Sequence, residues 1–203
     1  MIIIGLTGSI ASGKTTAAKL FKKKGAAVID ADKIVHRLYG SCTECRNKIK
    51  KTFGEGILNK DKTINRKCLG KIVFSDIEAL EKLCGIVHPL VIHEIKSNLK
   101  LIKLNKKKTM VVIDAPLLFE TGLDKLTDFN VCVSVPKKIM IKRLFKKGIL
   151  GEKEIMSRLK NQMPVKEKKS KSDFIINNAG SFSDLYKEIE NILKKIKKRM
   201  EKK

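Results

Sequence analysis

Short apolar runs alternate with longer amphipathic segments along this chain of 203 residues. The runs are rich in Ile, Val and Leu, as is typical of strands that are buried on both faces of a parallel sheet. Five such runs occupy residues 2–6, 26–29, 110–113, 130–135 and 174–176. Because segments of helical periodicity separate them, the pattern predicts an α/β fold with a five-stranded parallel sheet and right-handed crossovers.

The second and third runs are separated by about eighty residues, which is too many for one crossover helix. We therefore predict a single domain over residues 1–203 with a helical insertion at about 33–108, where a substrate could be held. A second helical stretch, rich in lysine, covers about 138–172 and is interrupted by Gly148 and Gly151. This stretch is the candidate for a helical lid.

Local signals place helices within the insertion and at the end of the chain. Ser75-Asp76-Ile77-Glu78 has the pattern of a capping box, and Pro89 suits the first turn of a helix. The predicted apolar stripe after Pro89 consists of Ile92, Ile95, Leu99 and Ile102. A final helix from about Ser183 should bury Leu185, Ile189, Ile192, Ile196 and Met200.

The composition is strongly basic, with 45 Lys and Arg against 21 Asp and Glu and a formal net charge of +24. Such a charge would attract nucleic acid, but it also suits a lysine-rich surface with a few cations that bind phosphorylated small molecules. Only six of the basic residues are Arg, aromatic residues make up 5%, and there is no Trp. Since base recognition and base stacking depend on these residue types, the second explanation is favoured.

No apolar run approaches the roughly 20 residues that span a bilayer, so we expect a cytoplasmic protein without a membrane segment. The five cysteines have no evident pairing, as expected of reduced thiols. Cys42 and Cys45 have the spacing of a zinc or redox pair, with Cys68, Cys84, His88 and His93 as conceivable further ligands. Ordinary thiols in a helical region are the simpler explanation, because no second C-x-x-C motif follows.

A phosphate-binding loop follows the first apolar run. Residues 8–15 read Gly-Ser-Ile-Ala-Ser-Gly-Lys-Thr and match G-x-x-x-x-G-K-[ST] at every fixed position. In this motif the backbone N–H groups point at phosphate oxygens, while the helix that begins here adds its dipole. Lys14 should reach the β- and γ-phosphates, and the Thr15 hydroxyl should ligate Mg²⁺. The loop therefore predicts binding of ATP or a related nucleoside triphosphate.

Two aspartates follow apolar runs and suit roles beside the nucleotide. Asp114 ends the third run and could ligate Mg²⁺ directly or through water, although it could also merely cap the strand. Asp32 follows the second run and could accept the proton of a hydroxyl group or orient it, or else it could only shape the turn.

A small kinase accounts for these features better than the other classes of protein with this loop. The nearest string to the guanine motif N-K-x-D is residues 59–62, which lacks the second acid, and no D-x-x-G follows Asp114. A kinase needs an acid beside the γ-phosphate, a segment that holds the acceptor and a basic lid. The lid candidates are Arg143, Lys147 and Arg158.

The chain resembles the dephospho-coenzyme A kinase family almost from end to end. The motifs that carry the resemblance are the loop, Asp30-Ala31-Asp32, Asn65-Arg66 with Leu69, His88-Pro89, Asp114-Ala-Pro-Leu-Leu-Phe-Glu120, Arg158 to Pro164, and Asp173 to Ser181. The loop alone is common to many proteins, whereas Asp-Ala-Asp, His-Pro and Pro-Leu-Leu-Phe-Glu in this order are far more specific.

The resemblance implies transfer of the γ-phosphoryl group of ATP to the ribose 3′-hydroxyl of dephospho-coenzyme A, with Mg²⁺ present. Asp32, Lys14 and Arg143 would be the catalytic residues. ATP would be bound by Gly8, Ala11, Ser12, Gly13, Lys14, Thr15, Thr16, Arg143, Asn178 and Gly180, the last two near the adenine. The acceptor would be bound by Asp32, Arg66, His88, Leu117, Leu118, Glu120 and Arg158. Arg66 could also be a surface cation, and His88 could only shape a helix start.

Departures from the family pattern are few. Ala11 stands where the family often has Gly, and Lys147 stands where a lid arginine is expected, which would cost a bidentate contact. Two other functions stay open at this point: a kinase for a nucleoside monophosphate or a small sugar acid, and a basic ATPase that binds nucleic acid. The sequence does not determine the oligomeric state.

Overall fold

The computed structural model describes residues 1–105, 108–147 and 162–201, and for 146 and 147 it describes the backbone alone. The strands are β1 (Ile2–Gly8), β2 (Ala27–Asp30), β3 (Met110–Asp114), β4 (Phe129–Ser134) and β5 (Phe174–Asn177). The α-helices, numbered in chain order over the described residues, are α1 (Lys14–Lys23), α2 (Ala31–Ser41), α3 (Thr43–Phe53), α4 (Arg66–Ser75), α5 (Ile77–Asn105), α6 (Lys137–Lys147), α7 (Val165–Ser170) and α8 (Phe182–Met200). Short 3₁₀ turns cover Glu55–Ile57 and Leu123–Leu126.

The sheet has the strand order β2-β3-β1-β4-β5, with β1 at its centre. Strand β1 pairs in parallel with β3, where Leu6 faces Asp114, and with β4, where Gly8 faces Val133. The carboxyl ends of β1 and β3 therefore lie side by side at one edge of the sheet. This arrangement confirms the predicted α/β class and the five predicted strands, with boundaries that shift by one or two residues.

The main apolar core lies where α1 and α8 cover the central strands. Ile4 and Leu6 of β1 are fully buried together with Phe21 of α1. Helix α8 buries Leu185, Ile189, Ile192 and Ile196 as predicted, but Met200 is 38% exposed. The prediction for Met200 was wrong. The periodic apolar pattern continues to the end of the helix, but the surface that buries the helix does not reach Met200.

Contacts divide the chain into two compact units, residues 1–29 with 101–203 and residues 30–100. The second unit contains α2, α3, α4 and most of α5. Helix α5 buries one stripe of small and branched side chains, namely Ala79, Leu83, Val87, Val91, Ile95 and Leu99. The predicted role of residues 33–108 in holding a substrate stays a prediction. None of the described helices is long and apolar enough to cross a membrane.

Two predicted helix boundaries in this second unit were wrong. The carboxylate of Asp76, rather than Ser75, accepts hydrogen bonds from the N–H groups of Glu78 (2.9 Å) and Ala79 (3.3 Å), while the Ser75 hydroxyl donates back to carbonyls of α4. Pro89 lies inside α5 and not in a first turn. The buried stripe of α5 continues on both sides of Pro89, so tertiary packing offsets the hydrogen bond that proline removes.

Candidate active site

The phosphate-binding loop connects the end of β1 to the start of α1, and two of its glycines are required by close contacts. Gly13 has φ +91°, and a Cβ atom there would lie 2.0 Å from Nδ2 of Asn178. A Cβ atom on Gly8 would lie 2.4 Å from the carbonyl oxygen of Val133 on β4. Only glycine fits at these two positions, because a side chain would meet Asn178 at Gly13 and β4 at Gly8.

Lys14, the first residue of α1, forms an ion pair with Asp114, the last residue of β3. Strand β1 ends two residues after Leu6, which pairs with Asp114 of β3. The loop that follows β1 therefore brings Lys14 close to Asp114. The side chains are 12% and 4% exposed, respectively, so little water screens the pair. Asp114 therefore holds the ammonium group of Lys14 at the carboxyl edge of the sheet. Whether Asp114 also ligates a metal ion stays a prediction.

Arg143 and Asn178 meet at the backbone of the loop. The guanidinium of Arg143 donates to the carbonyl oxygens of Asn178 (2.9 Å) and Ser12 (3.4 Å), and the amide of Asn178 donates to the Ser12 carbonyl (2.7 Å). Met140 and Leu144 of α6 are buried beside Ile10 and Ala11, which orients α6 and carries Arg143 to this point. Two residues far apart in the sequence thus support the loop from outside.

Ser12 has a buried side chain whose hydroxyl oxygen lacks a hydrogen-bond partner among the described residues. A buried polar atom without a partner costs roughly 1–3 kcal/mol, so such an atom is expected to bind something else. In the first turn of α1, the N–H groups of Thr16 and Ala17 donate to the carbonyl of Gly13. Those of Lys14 and Thr15 come too early in the helix to have a carbonyl partner within it. Both features fit an anion bound at the start of α1.

A cavity of about 350 Å³ adjoins the loop in the same unit. It is lined by Ala11, Gly13, Thr16, Arg143, Asn178, Gly180, Ser181, Phe182 and Leu185. Six of these nine residues were predicted to bind ATP, and the structure brings them together around one space. Of the other three, sequence reasoning missed Ser181 and Phe182 and predicted Leu185 only as a core residue. The sequence signal for Phe182 was a large apolar residue just after the predicted adenine segment, and the structure leaves this side chain 59% exposed.

The predicted acceptor residues after β3 differ in their surroundings. Leu118 is fully buried, and its methyl groups lie against Gly5 of β1, so packing in the core accounts for this leucine and contact with an acceptor is not supported. Leu117 is half-buried. The carboxylate of Glu120 accepts a hydrogen bond from the N–H of Met163 (2.9 Å) and pairs with Lys168 (2.9 Å). Lys168 was missed, because nothing distinguishes it from the lysines around it in the sequence.

In the unit of residues 30–100, the structure separates the roles of two aspartates. Asp30 caps α2, since its carboxylate accepts from the N–H of Lys33 at 3.0 Å. Asp32 lies two residues after the end of β2, in the first turn of α2, and its side chain is exposed. The turn-forming role that could have explained Asp32 therefore belongs to Asp30.

The two other candidates of this unit lie on different helices. Arg66 begins α4, and its guanidinium is 2.9 Å from Nδ1 of His36 on α2. The sequence assigned no role to His36. His88 is half-buried in the middle of α5, so it does not shape a helix start.

Two further predictions concern the thiols and the lid. Cys45 is buried, which raises the pKa of its thiol to about 11, and the described residues contain no group of three or more His, Cys, Asp or Glu side chains that could hold a metal ion. Arg158 and the side chain of Lys147 lie outside the described residues.

Comparison with known proteins decides the family. The family model for dephospho-CoA kinase matches residues 2–184. The dephospho-CoA kinase of Lactobacillus johnsonii is 42% identical over 193 residues, which cover 95% of this chain and 97% of the relative. The chain belongs to the dephospho-CoA kinase family. Members of this family are kinases that phosphorylate dephospho-CoA in the final step of CoA biosynthesis.

Solved structures agree with the dephospho-CoA kinase assignment. The dephospho-CoA kinase of Campylobacter jejuni superimposes with a TM-score of 0.69 at 32% identity, covering 97% of each chain. A shikimate kinase from Acinetobacter baumannii has a TM-score of 0.53 at 16% identity, covering 98% of this chain and 94% of its own, and shows the fold alone. The predicted resemblance and the class of small-molecule kinase are therefore confirmed. ATP, a nucleoside triphosphate, is the phosphoryl donor that a kinase with this loop implies.

Proposed function

We propose that this chain transfers the γ-phosphoryl group of ATP to the ribose 3′-hydroxyl of dephospho-CoA, giving CoA and ADP in the cytoplasm. The observation that carries the proposal is the loop between β1 and α1, held by Lys14–Asp114 on one side and by Arg143 with Asn178 on the other. The match to the kinase family covers residues 2–184 and so includes this loop. We therefore assign the binding of the triphosphate to the loop.

The triphosphate binds through the loop and two cations. Backbone N–H groups at the start of α1 donate to phosphate oxygens, and the Lys14 ammonium group carries positive charge to the same place. Arg143 contributes in two ways. Two of its N–H groups hold carbonyls of the loop and of Asn178, and a guanidinium has five N–H groups in all, so others are available for phosphate oxygens.

Phosphoryl transfer needs a lone pair on the acceptor oxygen and charge stabilisation on the phosphoryl group. The 3′-oxygen of the acceptor forms a bond to the γ-phosphorus while the bond from this phosphorus to the β,γ-bridging oxygen breaks, and ADP leaves with that electron pair. Asp32 accepts the proton of the 3′-hydroxyl, a role that its exposed carboxylate in the first turn of α2 can fill. Lys14 and Arg143 stabilise the charge on the transferred group.

Binding of dephospho-CoA falls to residues outside the loop. Arg66 supplies a cation for the phosphates of the acceptor, His88 supplies a polar contact, and Leu117 with Glu120 borders the acceptor at the turn after β3. Arg158 is a further cation that the family resemblance implies. These assignments rest on the family resemblance and on the positions of the four described residues.

Mg²⁺ is the divalent ion that the donor set suits. Thr15 offers an exposed hydroxyl next to Lys14, and Asp114 at the end of β3 offers a carboxylate beside the Lys14 ammonium group. Both groups are hard oxygen ligands. These residues fit the ion and would hold it. When bound, the ion would neutralise part of the negative charge on the phosphates.

The test is to incubate the purified protein with ATP, Mg²⁺ and dephospho-CoA and to detect the product by mass. We expect CoA and ADP in equal amounts, and no product when a chelator removes Mg²⁺. Adenosine monophosphate and a small sugar acid serve as competing acceptors in parallel reactions. Phosphorylation of either one at a rate equal to or above that of dephospho-CoA would contradict the proposal, as would ATP hydrolysis that depends on added nucleic acid.

A further inference from the structure

Lys168 on α7 is a charged residue that the proposed chemistry does not use, and its side chain is only 1% exposed. Lysine is almost never fully buried unless its ammonium group has partners. The neighbouring Lys166 and Lys171 are exposed. The burial of Lys168 is therefore specific to this position and needs an explanation.

Among the described residues, the two partners of the Lys168 ammonium group both belong to the turn that follows β3. Its ammonium group donates a hydrogen bond to the carbonyl oxygen of Pro116 and pairs with the carboxylate of Glu120 at 2.9 Å. Pro116 and Glu120 lie at the two ends of the segment that contains Leu117. The buried ammonium group of Lys168 thus holds both ends of the segment whose half-buried leucine is proposed to border the acceptor.

Other contacts hold the same turn from the side of the sheet. The hydroxyl of Thr7 on β1 donates to the Pro116 carbonyl at 3.1 Å, and the N–H of Ala115 donates to the carbonyl of Leu6 at 3.0 Å. The N–H of Met163 donates to Glu120 as well. Among the described contacts, Lys168 is the only residue of α7 that binds both Pro116 and Glu120.

From these contacts we propose that Lys168 is a positioning residue for the acceptor, which acts by holding the turn of residues 116–120 in its binding conformation. The inference rests on the proposed role of Leu117 and Glu120 in binding dephospho-CoA. Without the ammonium group, the Pro116 carbonyl keeps the Thr7 hydroxyl and the Glu120 carboxylate keeps the N–H of Met163, but each loses its charged donor. The two acceptors replace that donor with water only if the turn moves. Lys168 itself contacts neither substrate.

The experiment compares Lys168→Met with Lys166→Met, an exposed lysine on the same helix. Methionine keeps most of the length of the lysine side chain and removes the charge and the donors. We expect Lys168→Met to raise the KM for dephospho-CoA by about 10-fold while the KM for ATP changes less than twofold, because the turn is displaced and the loop is not. Lys166→Met should change neither constant. Lys168→Gln, which keeps an N–H donor, should give an intermediate KM for dephospho-CoA.

A purely structural role would give different results. In that case Lys168→Met would unfold at lower denaturant concentration while both KM values stayed unchanged, and the inference would be overturned. Equal increases in both KM values would overturn it too. If Lys168→Met does not fold, the same comparison of KM values for Lys168→Gln decides. Failure of the wild-type protein to form CoA would instead contradict the proposed function, and an unchanged KM in Leu117→Ala would contradict the role of the turn.

Discussion

The phosphate-binding loop and the unit of residues 30–100 present their candidate residues in different ways. In the loop, Gly8 to Thr15 are consecutive, and several contacts from β3, β4, α6 and the segment after β5 hold them. In the helical unit, Asp32, Arg66 and His88 lie on three separate helices, and their side chains are exposed or half-buried.

This difference corresponds to two tasks. A triphosphate is bound mainly by backbone N–H groups and a cation, so a short segment with the right backbone geometry suffices and a motif of eight residues can encode it. An acceptor such as dephospho-CoA is distinguished by its shape and by scattered polar groups, so the residues that recognise it come from several elements. We therefore expect substitutions in the loop to affect ATP and turnover, and substitutions in the helical unit to affect the acceptor.

The largest effect is expected for Lys14→Met. Turnover should fall by on the order of 10³-fold, because the positive charge beside the transferred phosphoryl group is lost. The buried ion pair with Asp114 would also be lost, so the stability of the protein should fall by about 3 kcal/mol. Coupled measurement of ADP formation and denaturant unfolding would record both changes. A variant that retains a tenth of the wild-type turnover would exclude this role of Lys14.

The next effect separates two neighbouring aspartates of the helical unit. Asp32→Ala should lower kcat by about 10²- to 10⁴-fold with nearly unchanged ATP binding, because the proton acceptor is removed. Asp30→Ala should leave kcat within a few-fold of wild type and lower stability by about 1 kcal/mol, because α2 loses its cap. Steady-state kinetics and thermal unfolding of both variants provide the comparison. The reverse pattern would show that Asp30, and not Asp32, is the proton acceptor.

A smaller effect is expected for Arg66→Ala, with Arg37→Ala as its matched control. Arg66→Ala should raise the KM for dephospho-CoA by about 10- to 100-fold, since one charge-assisted contact to the acceptor is worth about 1.5–3 kcal/mol. Arg37 pairs with Glu94 on the surface at 2.7 Å, and its removal should change neither KM. The assay varies dephospho-CoA at saturating ATP. Equal KM values in the two variants would remove Arg66 from the acceptor site.

Ala11→Gly tests the local strain of the loop. Ala11 has φ +57°, a left-handed conformation that costs a residue with a Cβ atom about 1 kcal/mol, and glycine avoids most of this cost. Since glycine also loses more entropy on folding, the net gain in stability should be at most about 0.5 kcal/mol. Denaturant unfolding measures the difference. A loss of more than about 1 kcal/mol in stability would contradict this account.

The smallest effect concerns the start of α8 beside the cavity that adjoins the loop. The backbone N–H and the hydroxyl of Ser181 donate to Asp184 and lower the pKa of its carboxyl below the ordinary value of 3.8. A lowered pKa in the folded state stabilises the protein above the unfolded pKa, and this contribution disappears as the pH falls through the folded pKa.

Asp184→Ala should therefore be less stable than wild type at pH 7, and the two proteins should converge as the pH falls below about 4. Chemical denaturation of both proteins at pH 7 and below about pH 4 measures this difference. Ser183→Ala, which removes an exposed hydroxyl on the same turn, should show no such convergence. A difference for Asp184→Ala that is the same at both pH values would argue against the capping interaction.

Local patterns predicted most of the fold and the position of the phosphate-binding loop. The strands and the loop were identified because buried parallel strands are continuous apolar runs and because phosphate binding needs a fixed spacing of glycines and lysine. The errors have a common cause. The cap at Asp76, the interior position of Pro89 and the exposure of Met200 depend on what each helix packs against, and this information is not in the local sequence.

The amino-acid sequence alone determined the five strands and the position of the loop. It also determined that Lys14 follows β1 through the loop and that Asp32 follows the end of β2. Tertiary structure decided which of two aspartates caps α2, that Leu118 belongs to the core, and that Lys168 is buried against Glu120. Backbone geometry and hydrophobic periodicity act over a few residues and can be read locally. Burial and charge pairing depend on partners far away in the sequence, so only the folded chain selects one lysine among many.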